Sequence, residues 1–175
     1  PFGLINAAPW QFNFNSPDGD GYYRFYTIAN DTVGNQENSP FMGGADTICG
    51  YDSKAPTIDQ DNSPGQGSTG DGYTIEIKAL DNIKVTSVTA TWGHGGLGGN
   101  NVPLTDTGND IWILNITLDQ SIGMLNFTLK LMDPAGNTFE TAQKSVGVND
   151  NDIPGITADH TGQTGYTGDS FAFSV

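Results

Sequence analysis

The run Trp112-Ile113-Leu114-Asn115-Ile116-Thr117-Leu118 puts Trp112, Leu114, Ile116 and Leu118 on one side of an extended chain and Ile113, Asn115 and Thr117 on the other. Side chains of a strand point alternately to opposite faces, so this period of two marks a half-buried β-strand. The pattern recurs on both sides. Leu125, Phe127, Leu129 and Leu131 alternate with Asn126, Thr128, Lys130 and Met132. Tyr73, Ile75, Ile77 and Ala79 alternate with Thr74, Glu76 and Lys78, and Val88, Ala90 and Trp92 with Thr89 and Thr91. Residues 56–62 and 139–148 add a strand at each end, and Val102-Pro103-Leu104 a short one, for about seven. Turn-forming clusters separate them: Ser63-Pro64-Gly65, Asp81-Asn82, 95–101, 119–123 and 133–137.

The same pattern occurs more than once. Trp10-Gln11-Phe12-Asn13-Phe14 overlies Trp112-Ile113-Leu114-Asn115-Ile116 at an offset of 112 − 10 = 102. That offset also matches Phe25 to Phe127, Asp31 to Asp133, Gly34-Asn35 to Gly136-Asn137 and Pro1 to Pro103. Further on, Thr69-Gly70-Asp71 matches Thr167-Gly168-Asp169 at an offset of 98, with Pro56 on Pro154, Asp61 on Asp159, Tyr73 on Phe171 and Ile77 on Val175. A period near 100 residues is that of whole domains in tandem; solenoid repeats run roughly 20–50. The expected division is residues 1–54 as the C-terminal half of one repeat, 55–152 as a complete repeat and 153–175 as the N-terminal strands of a further one. The two partial copies together lack the equivalent of residues 78–102.

About seven short strands per repeat, with no helices of note, predict an all-β fold of tandem immunoglobulin-like β-sandwiches. Trp92 falls on the third strand, where such a sandwich often holds a core Trp, but the Cys pair of antibody-type domains is missing. Composition agrees. Gly makes up 24 of 175 residues, about twice the ~7% of average proteins, which disfavours helices. Six Lys+Arg against twenty Asp+Glu leave a net charge of −14. Without a basic surface the chain is not expected to bind nucleic acid or anionic membranes, while divalent cations are favoured. No apolar stretch is long enough to span a membrane as a helix, and no signal peptide is expected within these residues, since Pro1 reads as part of folded sequence; a secreted protein would make this a mature or internal piece. The single Cys49 excludes an internal disulfide framework; it reads either as a small buried linker residue or as a partner for another chain.

The run from Gly21 to Asn35 (GYYRFYTIANDTVGN), Asp133-Pro134-Ala135-Gly136-Asn137, Asp81-Asn82-Ile83-Lys84-Val85 and the linker Asp52-Ser53-Lys54-Ala55-Pro56 resemble tandem Ig-like repeats of large prokaryotic surface proteins, particularly those of methanogenic archaea. The resemblance implies an extracellular or cell-surface location. Its implied role is that of structural or adhesive spacer repeats, whose partners are neighbouring repeats, identical chains, glycans or other surface components. Two other roles stay open. The chain is a filament subunit assembled by strand complementation between chains, or an accessory stalk or carbohydrate-binding module of a secreted enzyme.

No catalytic constellation is expected. Gly65-Gln-Gly67-Ser-Thr-Gly70 and Gly93-His-Gly95-Gly-Leu-Gly98 match a dinucleotide-binding pattern, but no helix follows either, so both read as turns and no organic cofactor is implied. His94 and His160 lie in loops of different repeats, without zinc-ligand spacing. Asn149-Asp150-Asn151-Asp152 precedes Pro154 and resembles the inter-domain calcium linkers of cadherin-like and bacterial adhesin repeats. That resemblance implies calcium at Asp150 and Asp152, with Asp52 at the equivalent place in the first junction; the alternative is a solvated acidic linker. Asp18-Gly19-Asp20-Gly21 reads as a hairpin turn in preference to a fragment of a calcium loop, and Asp31 and Asp133 as acceptors in Asx-turns in preference to metal ligands. Asn30, Asn115 and Asn126 begin N-x-[ST] sequons, and the strand phase turns Asn115 and Asn126 toward solvent.

Overall fold

The computed structural model describes residues 3–38, 44–161, 164–165 and 167–174. Pro1 and Val175, two matched ends of the repeat, lie outside them. The described residues form twelve strands and no helix.

Ten of these strands build a sandwich. One sheet is β3(Thr57–Asp61), β5(Gly72–Leu80), β9(Ile111–Thr117) and β8(Thr105–Asp106), in that spatial order. The other runs β4(Gln66–Ser68), β12(Lys144–Asn149), β10(Gly123–Met132), β6(Ser87–His94) and β7(Leu97–Pro103), with β11(Thr138–Glu140) also on β10. Strands one, two, five and four of the immunoglobulin order thus form one sheet, and three, six and seven lie together in the other. The fold is an all-β immunoglobulin-like sandwich. The parallel β4–β12 pair ties the two sheets, because the chain leaves β3 and crosses to the opposite sheet before β5.

The alternating residues fill the core. Ile75, Ile77, Leu125, Leu131 and Ala90 are 0% exposed, and Phe127 and Leu129 are 2% exposed. Trp112 is buried and Trp92 half-buried against the same cluster. Burying each large apolar side chain is worth roughly 1.5–3 kcal/mol, so this cluster is the main stabiliser of the domain. The cluster at 95–101 differs from its expected role: β7 extends the short strand backward to Leu97. Only Gly95 and Gly96 make the turn, and Gly95 takes a φ of 57°. A Cβ on Gly98 would lie 2.7 Å from the Trp92 carbonyl oxygen, so the close β6–β7 approach needs glycine there.

Outside the sandwich, β1(Gly21–Phe25) and β2(Thr47–Tyr51) form a two-stranded antiparallel ribbon. Tyr23 and Phe25 pack edge-on against Phe14, with centroids 4.8 Å apart. Cys49 sits in β2 and is exposed rather than buried. Asp31 accepts from the backbone N–H of Asn35 at 2.8 Å and from Asn35 Nδ2 at 2.6 Å. Asp133 accepts the same two bonds from Asn137, at 2.9 and 2.7 Å. Gly34 and Gly136 both hold left-handed φ, 93° and 92°. The offset of 98 is equally literal. Asn62 N–H donates to the Glu76 carbonyl and His160 N–H to the Ser174 carbonyl, both at 2.9 Å.

Candidate cation site at the domain entrance

Three loops meet where the chain enters the sandwich. The linker before β3 carries Asp52, the turn after β5 carries Asp81, and the turn after β10 carries Asp133. Each aspartate is held by its local turn. Asp52 Oδ1 accepts from the Lys54 N–H at 3.1 Å and from Asn82 Nδ2 at 3.0 Å. Asp81 Oδ2 accepts from the N–H groups of Ile83 and Lys84 at 2.8 and 2.9 Å. Asn137 both fixes Asp133 and donates from Nδ2 to the Asp52 carbonyl oxygen at 3.2 Å, so the last turn also grips the linker.

The result is a compact acidic group. One carboxylate oxygen from each of Asp52, Asp81 and Asp133 lies within 4.8 Å of the other two. Asp133 is 2% exposed. Burial pushes its carboxyl upward, but the bonds from Asn137 and from the Gly136 and Ala135 backbone together outweigh that and hold it below the usual carboxylate range. Asp52 Oδ2 and Asp81 Oδ1 are sealed from solvent and accept no hydrogen bond. The ion pairs among the described residues are Lys54–Asp20, Lys78–Asp59 and Lys144–Asp61, so no basic side chain neutralises the three carboxylates. Buried charge without a partner is costly. Hard oxygens at this spacing suit a hard divalent cation, for two oxygens about 2.4 Å from one ion can be up to ~4.8 Å apart.

The linker is also held from the other side. Ser53 donates from its N–H and its hydroxyl to Asp20 Oδ1 at 3.0 and 2.8 Å, and Lys54 Nζ lies 3.5 Å from Asp20 Oδ2. Those contacts, the Ser53 hydroxyl foremost, lower the Asp20 pKa. Asp20 lies in the Asp18–Gly21 turn, where Gly19 takes a φ of 76°. The residues from Asp52 to Lys54 are therefore bonded to both the ribbon region and the sandwich.

Asp150 and Asp152 lie apart from this group, on the exposed chain leaving β12. Asp150 Oδ1 accepts from the Asp152 N–H at 2.9 Å, as Asp52 does from Lys54, and from Thr69 Oγ1 at 3.2 Å. Asn151 Nδ2 donates to Asp71 at 3.0 Å. Asp81 and Asp133 complete the group; the sequence marked Asp133 as an Asx-turn acceptor and Asp81 as a turn residue, not as companions of Asp52. They lie 29 and 81 positions from Asp52 (81 − 52 and 133 − 52), and nothing local marks them as its neighbours.

The other singled-out residues are dispersed. Asn115 is exposed and its Oδ1 accepts from Thr74 Oγ1. Asn126 is half-buried and engaged by Gln143 and Ser145. Asn30 is exposed beside the Asp31 turn. His94 ends β6 and is 2% exposed rather than loop-borne, its Nδ1 accepting the Asp119 N–H. The first glycine motif leads into β4 and the β4–β5 turn, the second into the β6–β7 turn. Among the described residues no helix is long and apolar enough to cross a membrane.

No protein-family model and no curated protein matches the chain. Among solved structures it is similar to the titin M3 domain, at 17% identity and a TM-score of 0.36, covering 54% of this chain and 96% of that one. It is also similar to the titin domains Z1Z2 in complex with telethonin, at 16% identity and a TM-score of 0.34, covering 58% of this chain and 50% of that one.

Proposed function

We propose that the chain is a stretch of non-catalytic structural or adhesive spacer repeats from a large extracellular surface protein. The observation that supports this best is the recurrence of the same turn bonds, Asp31–Asn35 with Asp133–Asn137 and Asn62–Glu76 with His160–Ser174, on both sides of one sandwich. A linker bonded on both sides favours a rod over loosely tethered beads. Neighbouring repeats are its first partners; glycans and other surface components are further ones. Exposed Asn115 and Asn30 are its glycan acceptors, with Asn126 less accessible. Small-angle X-ray scattering on the 175-residue chain tests the rod. An extended, concentration-independent profile is expected, and a broad ensemble of compact and extended shapes would reject it.

Assembly between chains is a second reading, favoured by Trp10 and Phe173, which are 70% and 82% exposed. Large apolar side chains left wet on both flanks invite pairing. Sedimentation analysis decides: polymers growing with concentration support the filament, and monomers throughout reject it.

A further inference from the structure

We propose that Asp52, Asp81 and Asp133 bind one calcium ion that clamps the linker onto the sandwich. Two independent features converge. Three carboxylates approach within 4.8 Å, and among the described residues no basic side chain is paired to them. Within that group, Asp52 Oδ2 and Asp81 Oδ1 are sealed from water and lack any donor. A cation would give each of these oxygens the partner it lacks. The turns already supply N–H donors to the opposite oxygens of Asp52 and Asp81, which fixes each carboxylate's rotation and leaves its second oxygen available to an ion.

The ligand chemistry selects the ion. With no His or Cys in the group, zinc and copper lose their preferred donors. Magnesium demands a strict octahedron at about 2.0–2.1 Å and gives up its water reluctantly, so it seldom enters a cage made by protein oxygens alone. Calcium accepts irregular sets of six to eight oxygens, which carboxylates from three separate loops can supply. Three carboxylates, some of them bidentate, and water complete its shell.

The consequence is mechanical, and it rests on the spacer reading. Asp52 belongs to the linker, while Asp81 and Asp133 belong to the sandwich; Ser53 and Lys54 bind Asp20 on the preceding segment. Fixing Asp52 therefore fixes the step between two repeats. The same reasoning gives Asp150 a different part. It occupies the linker position 98 residues on (52 + 98), outside the group of three carboxylates.

The experiment uses the intact 175-residue chain, titrated calorimetrically with calcium chloride and melted in calcium and in chelator. One calcium per chain is expected. At a hundredfold excess over the dissociation constant, the melting temperature should rise by on the order of 10 °C. Asp81→Asn should weaken binding at least tenfold and abolish the shift. Its Asn Oδ1 can keep the turn bonds, and one repelling charge is gone, so in chelator it should melt no lower than the parent. Asp52→Asn should behave alike, whereas Asp150→Asn with Asp152→Asn should leave the shift intact. The inference is overturned if calcium produces no shift, if magnesium matches calcium, or if the shift survives Asp81→Asn and Asp52→Asn. Loss of the shift in the Asp150/Asp152 variant would overturn it too. An extended scattering profile without calcium binding would remove this site and leave the spacer reading standing.

Discussion

The strand β10 and the ribbon strand β1 share a sequence pattern but not an environment. At the offset of 102, Leu125 and Phe127 match Tyr23 and Phe25. In β10 both are at most 2% exposed, with β6 on one side, β12 on the other and the second sheet across the core. In β1 both are half-buried, and neighbouring Tyr22 is 67% exposed. Pairing differs as well. Gly123 faces Val148 in the sandwich, which the offsets carry to Gly21 facing Gly50, yet Gly21 faces Tyr51. A strand's register is pinned by the face it buries, and a ribbon without a second sheet has little to pin it. Alternation therefore specifies a strand and its apolar side, while neighbouring elements decide how deeply that side is buried and in which register.

The matched phenylalanines give the sharpest test. Phe127→Ala should destabilise the sandwich by about 3–5 kcal/mol, through lost burial and a residual cavity. Phe25→Ala should shift the same urea transition, followed by Trp fluorescence, by no more than about 0.5 kcal/mol. Equal effects would show that ribbon and sandwich unfold as one unit. Gly98→Ala ranks next, at about 1–3 kcal/mol, because its Cβ meets backbone rather than a yielding side chain. Gly34→Ala, in the exposed Asp31 turn, meets nothing within 4 Å and carries only the strain of its φ of 93°. It should leave the sandwich transition unchanged.

A small, pH-dependent effect belongs to a turn that occurs twice. Asp61 and Asp159 each accept a backbone N–H two residues ahead, but only Asp61 also meets a lysine, Lys144 Nζ at 2.6 Å. Burial raises the Asp61 pKa, and the Lys144 and Ser63 bonds more than offset that, leaving it lowered. A carboxylate with a lowered folded pKa stabilises the fold above its unfolded pKa, near 3.9, and loses that contribution as the pH falls through the folded value. Lys144→Met should therefore cost less than about 1 kcal/mol at pH 7, since both side chains are about one-third exposed. The difference between variant and parent should shrink in melts taken below pH 4. An undiminished difference at pH 2 would assign the loss to the Lys144 ammonium over the Phe127 ring, whose centroid lies 5.6 Å from Nζ.

Period-two patterning in 73–79, 88–92, 112–118 and 125–131 was enough to place the long strands and their buried residues, because in a sheet the side-chain period is a local property of the backbone. The Asp-x-x-Gly-Asn turns were legible for the same reason: donor, acceptor and left-handed glycine lie within five residues. The backward extension of β7 was less so, since Gly98, Gly99, Asn100 and Asn101 read as loop residues and become a strand only because β6 offers them a ladder. The acidic site is the extreme case. Sequence reasoning marked Asp52 at the first junction and Asp150 and Asp152 at the second, but it could not bring Asp81 and Asp133 beside Asp52. Three separate turns supply the three carboxylates, and only the stacking of two sheets brings the ends of β5 and β10 to the linker. Local chemistry set each aspartate's turn; the tertiary fold alone set the distance between the carboxylates, because three segments far apart in sequence converge only when the sheets stack.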